Sequence, residues 1–343
     1  MLGMLMGAAM GDAMGAAYEF EYNRIQYQDD LRPHDGLLGT ITDDTEMMMA
    51  LAYEVIALSY ETLPSAPAPS PSTPSSPLAR WNQREVVEAY CRWVMSGPLD
   101  VGNNTSALFG STSIPGNFYN SYLAAFKKAT MDTPIERWSQ SNGCLMRCMP
   151  MIVFPEKDKV WRKDCALSNP HPVCLEACDV YFRLLHNLFS GRQETLEDIS
   201  RTVKHPVVFR AVRDALERQK RDVRYQRGWV CHALYFACML YAYHYDTFED
   251  AMRMVIGEHL DSDTDTNACI AGAVWGAKHG PHGFLSSSST KDKWHTMMAL
   301  KSYRPDALHV KHLGNLAFEL GRLYDQSKKD SYFQSDINAA NQV

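Results

Sequence analysis

MLGMLMGAAMGDAMGAAYEF, residues 1–20, sets glycine at positions 3, 7, 11 and 15. A spacing of four puts these glycines on one face of a helix, where missing side chains let a second helix come close. Alanine and methionine fill most of the other positions, so the segment reads as a buried core helix. A membrane dimer can use the same small-residue pattern, but Asp12 in the middle and the short length argue against it. Glu19 follows at the C-terminal end of this helix. A carboxylate there is unfavourable against the helix dipole, which points to some other task.

Outward from this stretch the pattern stays helical. Residues 45–59, 85–95, 175–189, 206–220, 229–243, 248–260 and 306–326 carry apolar side chains at helical spacing. No set of alternating strands and no fixed-period repeat stands out. The expected fold is all-α, a single compact multi-helix domain over residues 1–327. One stretch departs from this. Residues 62–79, TLPSAPAPSPSTPSSPLA, hold six prolines, which fix φ and remove amide donors; they read as an extended inserted loop. Residues 328–343 read as a polar C-terminal tail.

Composition narrows the function classes. With 34 basic and 40 acidic residues the net charge is −6, so no global basic field attracts nucleic acid or anionic lipid. No long clean apolar run suggests a membrane span, and no basic leader opens the chain. Nine cysteines without a CxxC pair fit a reduced, cytoplasmic protein. The phosphate-cradling sequence GxxxxGK[ST] does not occur.

Two acidic clusters stand far apart. Thr42-Asp43-Asp44-Thr45 precedes one apolar helix, and Asp261-Ser262-Asp263-Thr264-Asp265-Thr266 precedes another. Each can be read as an N-cap, and Asp43 with Glu46 has capping-box spacing. A cap needs one acceptor, however, and several carboxylates packed together repel unless a cation neutralises them. The donors are all hard oxygens, which suits Mg²⁺, Mn²⁺ or Ca²⁺ rather than Zn²⁺. The second cluster imitates a calcium loop at Asp261, Asp263 and Asp265. It fails where glycine and a bidentate glutamate belong, at Thr266 and Gly272. It is therefore expected to supply half a site, with Asp43 and Asp44 supplying the other half.

Five segments in order, GAAMGDAMGAAYEF (7–20), TDDT (42–45), DVGNNT (100–105), SNGCLMR (141–147) and DSDTDTNACIAGAVWGAKHG (261–280), make the chain resemble the ADP-ribosylglycohydrolases. The resemblance implies an all-helical fold and two Mg²⁺ ions, with Mn²⁺ as the alternative. It also implies hydrolysis of the bond between the anomeric carbon of ADP-ribose and an acceptor, in a modified protein or a small conjugate. By the same resemblance Thr42, Asp43, Asp44, Asp263, Asp265 and Thr266 match the metal-binding segments. Asn142, Gly143, Met146 and Arg147 match a loop lining the ADP-ribose cleft, and Gly102, Asn103, Asn104 and Thr105 match a further cleft segment. Glu19 matches the acid closing the first motif; lying outside both clusters, it is expected at the reacting bond. The general base is expected to be Asp44 or Asp265. No membrane is implied, nor nucleic acid except as a modified substrate, and the chain is expected to act as a monomer.

The chain departs from the family pattern in three places. Asp261 and Ser262 stand where relatives often have two glycines, Asn169 where many have histidine, and the proline-rich insertion is not general. The competing reading is a non-catalytic ADP-ribose-binding or structural protein on the same fold; retention of the four aspartates speaks against it. Weaker signals are a zinc spacing at His171, Cys174 and Cys178, a nucleophile at Cys144, and a stacking aromatic at Trp229.

Overall fold

The computed structural model describes all residues except 21–25, 35, 61–78, 302 and 341–343, and for 330–340 the backbone alone. The proline-rich insertion thus lies outside the described residues but for Ala79. Fifteen α-helices are present among the described residues. They are α1 (Leu2–Gly15), α2 (Asp43–Tyr60), α3 (Gln83–Met95), α4 (Asn103–Phe109), α5 (Phe118–Ala129), α6 (Gly143–Arg147), α7 (Val160–Ala166) and α8 (Pro172–Ser190). There follow α9 (Leu196–Ser200), α10 (Pro206–Leu216), α11 (Val230–Ala242), α12 (Phe248–Met252), α13 (Thr264–Leu285), α14 (Ser288–Ala299) and α15 (Leu313–Ala340). A two-residue antiparallel pair, β1 (Pro33–His34) with β2 (Leu37–Leu38), is the one sheet among the described residues. No helix among these residues is long and apolar enough to cross a membrane.

The glycine stripe of α1 decides how the fold is centred. Every residue of α1 from Gly3 to Gly15 is buried. A Cβ built at Gly3, Gly7 or Gly11 would fall within 3.0 Å of the carbonyl oxygens of Gly276, Gly272 and Ala268 on α13. At Gly15 it would meet the Cα of Asp265 and the carbonyl of Thr264. Backbone lies on backbone, and Gly272 and Gly276 answer the stripe from the α13 side. This contact carries the start of α13 to the end of α1. A single apolar core then surrounds the pair, with α2, α8 and α11 among its walls.

Several boundaries differ from the sequence expectation, each for a local reason. The run 206–220 stops at Leu216, because Arg218 takes a left-handed φ of 52°. The run 248–260 is α12 followed by a π turn over Arg253–Gly257. The run 306–326 begins as two 3₁₀ turns broken at His309, whose ring accepts from the Lys311 amide at 3.1 Å; α15 starts at Leu313. Its backbone stays helical to Ala340, across most of the expected tail, where no glycine or proline intervenes.

Candidate active site and metal centre

The first acidic cluster opens α2, and its capping is done from elsewhere. The buried Asp12 of α1 accepts the backbone amides of Thr42 at 3.0 Å and Thr45 at 3.1 Å, and the Thr42 hydroxyl at 3.0 Å. Glu46 forms no capping box. Its carboxylate pairs with the Arg304 guanidinium at 2.7 and 2.8 Å and accepts the Trp93 indole at 2.9 Å. The Asp43 and Asp44 side chains are therefore released from helix-end duty.

The second cluster behaves alike. Asp263 occupies the N-cap position of α13 yet makes no side-chain cap bond. One of its oxygens accepts from Asn142 Nδ2 at 2.9 Å, and the other has no hydrogen-bond partner. Asp265 accepts the Thr266 amide at 2.8 Å. Thr264 ties the segment to α1 by donating to the Gly15 carbonyl at 2.9 Å.

The two clusters meet. Asp44 Oδ2 accepts from Thr42 at 3.1 Å and from Thr266 at 3.2 Å, while Asp44 Oδ1 is buried without a partner. Asp12, Asp44 and Asp265 each place one oxygen within 4.8 Å of the others, and so do Glu19, Asp263 and Asp265. Asp265 belongs to both groups. Asp43 adjoins them, accepting the Gly102 amide at 3.4 Å.

Electrostatics sets these acids apart from a solvated face. Burial first, then Asp263 and Asp100, pushes Glu19 up to about 8. Burial first, then Asp100 and Asp12, pushes Asp43 up to about 8. Asp44 is raised by burial and by Asp43, and Asp265 by burial and by Glu19. Asp12 rises only to about 6, because the hydrogen bonds it accepts oppose its burial. A buried carboxylate oxygen with no donor is strongly unfavourable without a cation. Asp44 Oδ1 and Asp263 Oδ1 are two such atoms among hard-oxygen neighbours, so the donor set fits divalent ions of the Mg²⁺ or Mn²⁺ type.

Around this centre the expected cleft residues divide. Asn142 reaches Asp263 directly, and the Gly228 backbone packs so close that a Cβ there would lie 3.1 Å from Asp263 Oδ2. Gly102 and Asn103 are exposed, Gly143 is half-buried, and Asn104 holds the Ser168 carbonyl at 3.0 Å. Thr105 is buried. Met146 and Arg147 do not line a cleft. Met146 packs in the core, and Arg147 is fully buried, paired with Asp164 at 3.1 Å and donating to the Gly143 carbonyl at 2.8 Å. Arg147 shapes the Asn142–Gly143 turn from behind.

Other sequence signals resolve similarly. Asn169 holds the Ser139 and Ser141 hydroxyls at 2.9 and 3.0 Å. His171 caps α8 through the Val173 amide at 3.2 Å and stands outside the thiol cluster that contains Cys178. Trp229 bridges to Ser141 and donates to Gln140 at 3.1 Å, a structural task. Asp261 adds no free charge, since Arg227 pairs with it at 2.7 Å. Sequence reasoning missed Asp12 and Asp100. The signal for Asp12 was available: a carboxylate in an otherwise apolar buried helix must have partners.

A sequence profile of the ADP-ribosylglycohydrolase family matches residues 1–302. The chain belongs to that family. This glycohydrolase is 26% identical over 314 residues to the ADP-ribosyl-[dinitrogen reductase] glycohydrolase of Rhodospirillum rubrum, covering 84% of this chain and 90% of that one. It is 24% identical over 309 residues to the ADP-ribosylarginine hydrolase Tri1 of Pseudomonas putida, covering 85% and 74%. A solved structure titled ADP-ribosylglycohydrolase-related protein complex shares the fold, with a TM-score of 0.62 at 20% identity over 95% of this chain and 97% of that one.

Proposed function

We propose that this glycohydrolase cleaves the bond between the anomeric carbon of ADP-ribose and an acceptor, with two Mg²⁺ or Mn²⁺ ions held by Thr42, Asp43, Asp44, Asp263, Asp265 and Thr266. One observation carries the reading: two acidic segments more than 200 residues apart in the chain meet, with one oxygen each of Asp44 and Asp263 buried and without a hydrogen-bond partner. The unit that does this is residues 1–327.

Bound there, the ions would hold ribose hydroxyls and make a water acidic enough to attack. Asp265, common to both oxygen groups, would contribute to holding both ions. Asp44 or Asp265 would take the proton of the attacking water, and the unpartnered Oδ1 of Asp44 favours Asp44. Glu19, beside Asp263 and Asp265 at the edge of the centre, would hand a proton to the leaving group. The start of α4, just beyond the Gly102 amide that Asp43 holds, would meet the sugar–diphosphate, since backbone amides at a helix start suit an anion.

The acceptor is chosen by experiment. The R. rubrum and P. putida relatives are named for dinitrogen reductase and arginine, so an ADP-ribosylarginine protein is the first substrate to try, then serine-linked and small-molecule conjugates. Release of ADP-ribose from one of them, abolished by EDTA and restored by Mg²⁺ or Mn²⁺, supports the reading. No release from any of them with metal supplied overturns it.

A further inference from the structure

Five of the nine cysteines gather in one place behind the Asn142 turn. Cys144 lies on α6, Cys148 just after it, Cys165 on α7, and Cys174 and Cys178 one turn apart on α8; all five are buried. The sulfurs of Cys144, Cys165 and Cys178 lie within 4.8 Å of one another. Cys144 also touches Cys174, and Cys178 touches Cys148. This is a separate cluster from the acidic centre, and its donors are all soft.

We propose that Cys144, Cys165 and Cys178 form a thiolate site for one soft d¹⁰ cation, Zn²⁺ or Cu⁺, with Cys174 as the neighbouring fourth sulfur. The geometry suits it. Metal–thiolate bonds of about 2.3 Å place three sulfurs in a triangle with sides of about 4 Å, inside the observed spacing. Soft sulfur donors select these ions over Mg²⁺ or Mn²⁺. Burial opposes a Cys144 thiolate, but its contacts with Cys165, Cys174 and Cys178 favour one, and so does the buried Arg147 guanidinium, which is paired with Asp164. Binding displaces the thiol protons that now point to the Ser141 carbonyl at 3.7 Å and the Asn169 carbonyl at 3.4 Å. The Ser141 carbonyl keeps the Asn169 amide as a donor at 3.3 Å.

The three ligands come from three helices, so the ion would pin α6, α7 and α8 together beneath the turn that presents Asn142 to Asp263. A soft ion here has a scaffolding task, distinct from the hard ions of the acidic centre.

The test uses the full chain, reduced and kept anaerobic, with Cd²⁺ as the spectroscopic probe. Titration should raise the ultraviolet thiolate-to-metal charge-transfer band to an end point of one ion per chain. Excess Mg²⁺ should leave the band intact. Cys165→Ser and Cys178→Ser should each lose most of it, and Cys91→Ser, a buried cysteine outside the cluster, should keep it. Elemental analysis of the protein purified without chelator distinguishes Zn²⁺ from Cu⁺. Absence of a band in the reduced wild-type chain overturns the proposal whether or not the variants fold. So does a band that survives in both Cys165→Ser and Cys178→Ser. Recovery of these cysteines as a disulfide that takes up no Cd²⁺ after reduction also overturns it.

Discussion

The Thr266 hydroxyl donates to Asp44 Oδ2 at 3.2 Å, joining residues 222 positions apart. That bond closes the gap between the start of α13 and the start of α2. Its geometry follows from α1, whose glycines seat α13 and whose Asp12 seats α2. One helix thus positions both halves of the centre.

Removing one charge should separate fold from function. Asp265→Asn keeps the side-chain shape and its bond to the Thr266 amide, but takes a negative charge out of both oxygen groups. Calorimetry should show loss of Mn²⁺ binding, and ADP-ribose release should fall to background. The metal-free variant should melt no lower than wild type near neutral pH, because repulsion among the acids is relieved. Wild-type Mn²⁺ affinity in this variant would contradict the assignment of Asp265.

The raised carboxylates make the metal-free protein sensitive to alkali. An acid whose folded value lies above its unfolded value binds more protons folded than unfolded, so stability falls as pH rises. With Glu19 and Asp43 pushed up to about 8, the loss begins in the ordinary carboxylate range near 4 and is complete above about 8. Melting temperature without metal should fall across that window. Added Mg²⁺ should raise it more near pH 8 than near pH 5. A flat profile in EDTA would show that these acids are not buried as described.

Glu19 can be separated from the aspartates. Glu19→Gln should lower the rate by a factor on the order of 10²–10⁴ if the residue transfers a proton. The drop should be larger for a serine-linked substrate, whose alkoxide leaves poorly, than for an arginine-linked one. Because a Glu19 oxygen lies within 4.8 Å of oxygens of Asp263 and Asp265, Mn²⁺ affinity must be measured alongside. A variant that binds Mn²⁺ weakly but turns over normally in excess metal would make Glu19 a ligand instead.

The α1–α13 contact predicts a steric penalty. Gly7→Ala puts a methyl group against the Gly272 carbonyl, and overpacking of this kind costs about 1–3 kcal/mol. Thermal unfolding should register the loss and Mn²⁺ affinity should drop with it, since α13 is displaced. Gly116→Ala, with open space around it, serves as the comparison and should leave both unchanged.

The sequence made the helices, the glycine-mediated contact and the pairing of the two acidic segments readable. Each rests on a short pattern, either small residues at a spacing of four or more carboxylates than a helix start can use. Arg147 shows where that reading stopped. Position in a motif suggested a ligand contact, whereas Asp164, whose pairing is long-range, draws the side chain into the core. Asp12 shows the converse. Its partners appear only when the last turn of α1 and the start of α2 are seen together, since Thr42 and Thr45 lie 30 and 33 residues further along the chain. The short helices α4, α6, α7 and α9 escaped notice because each is too brief to show a period.

Crystals of the full chain grown with Mn²⁺ and measured at the manganese absorption edge would locate the ions without reference to turnover. Two anomalous peaks are expected among the carboxylates of Asp43, Asp44, Asp263 and Asp265, with Asp265 touching both. Full-strength data with no peak between α2 and α13, at a Mn²⁺ concentration that supports ADP-ribose release, would contradict a metal centre built from these two segments.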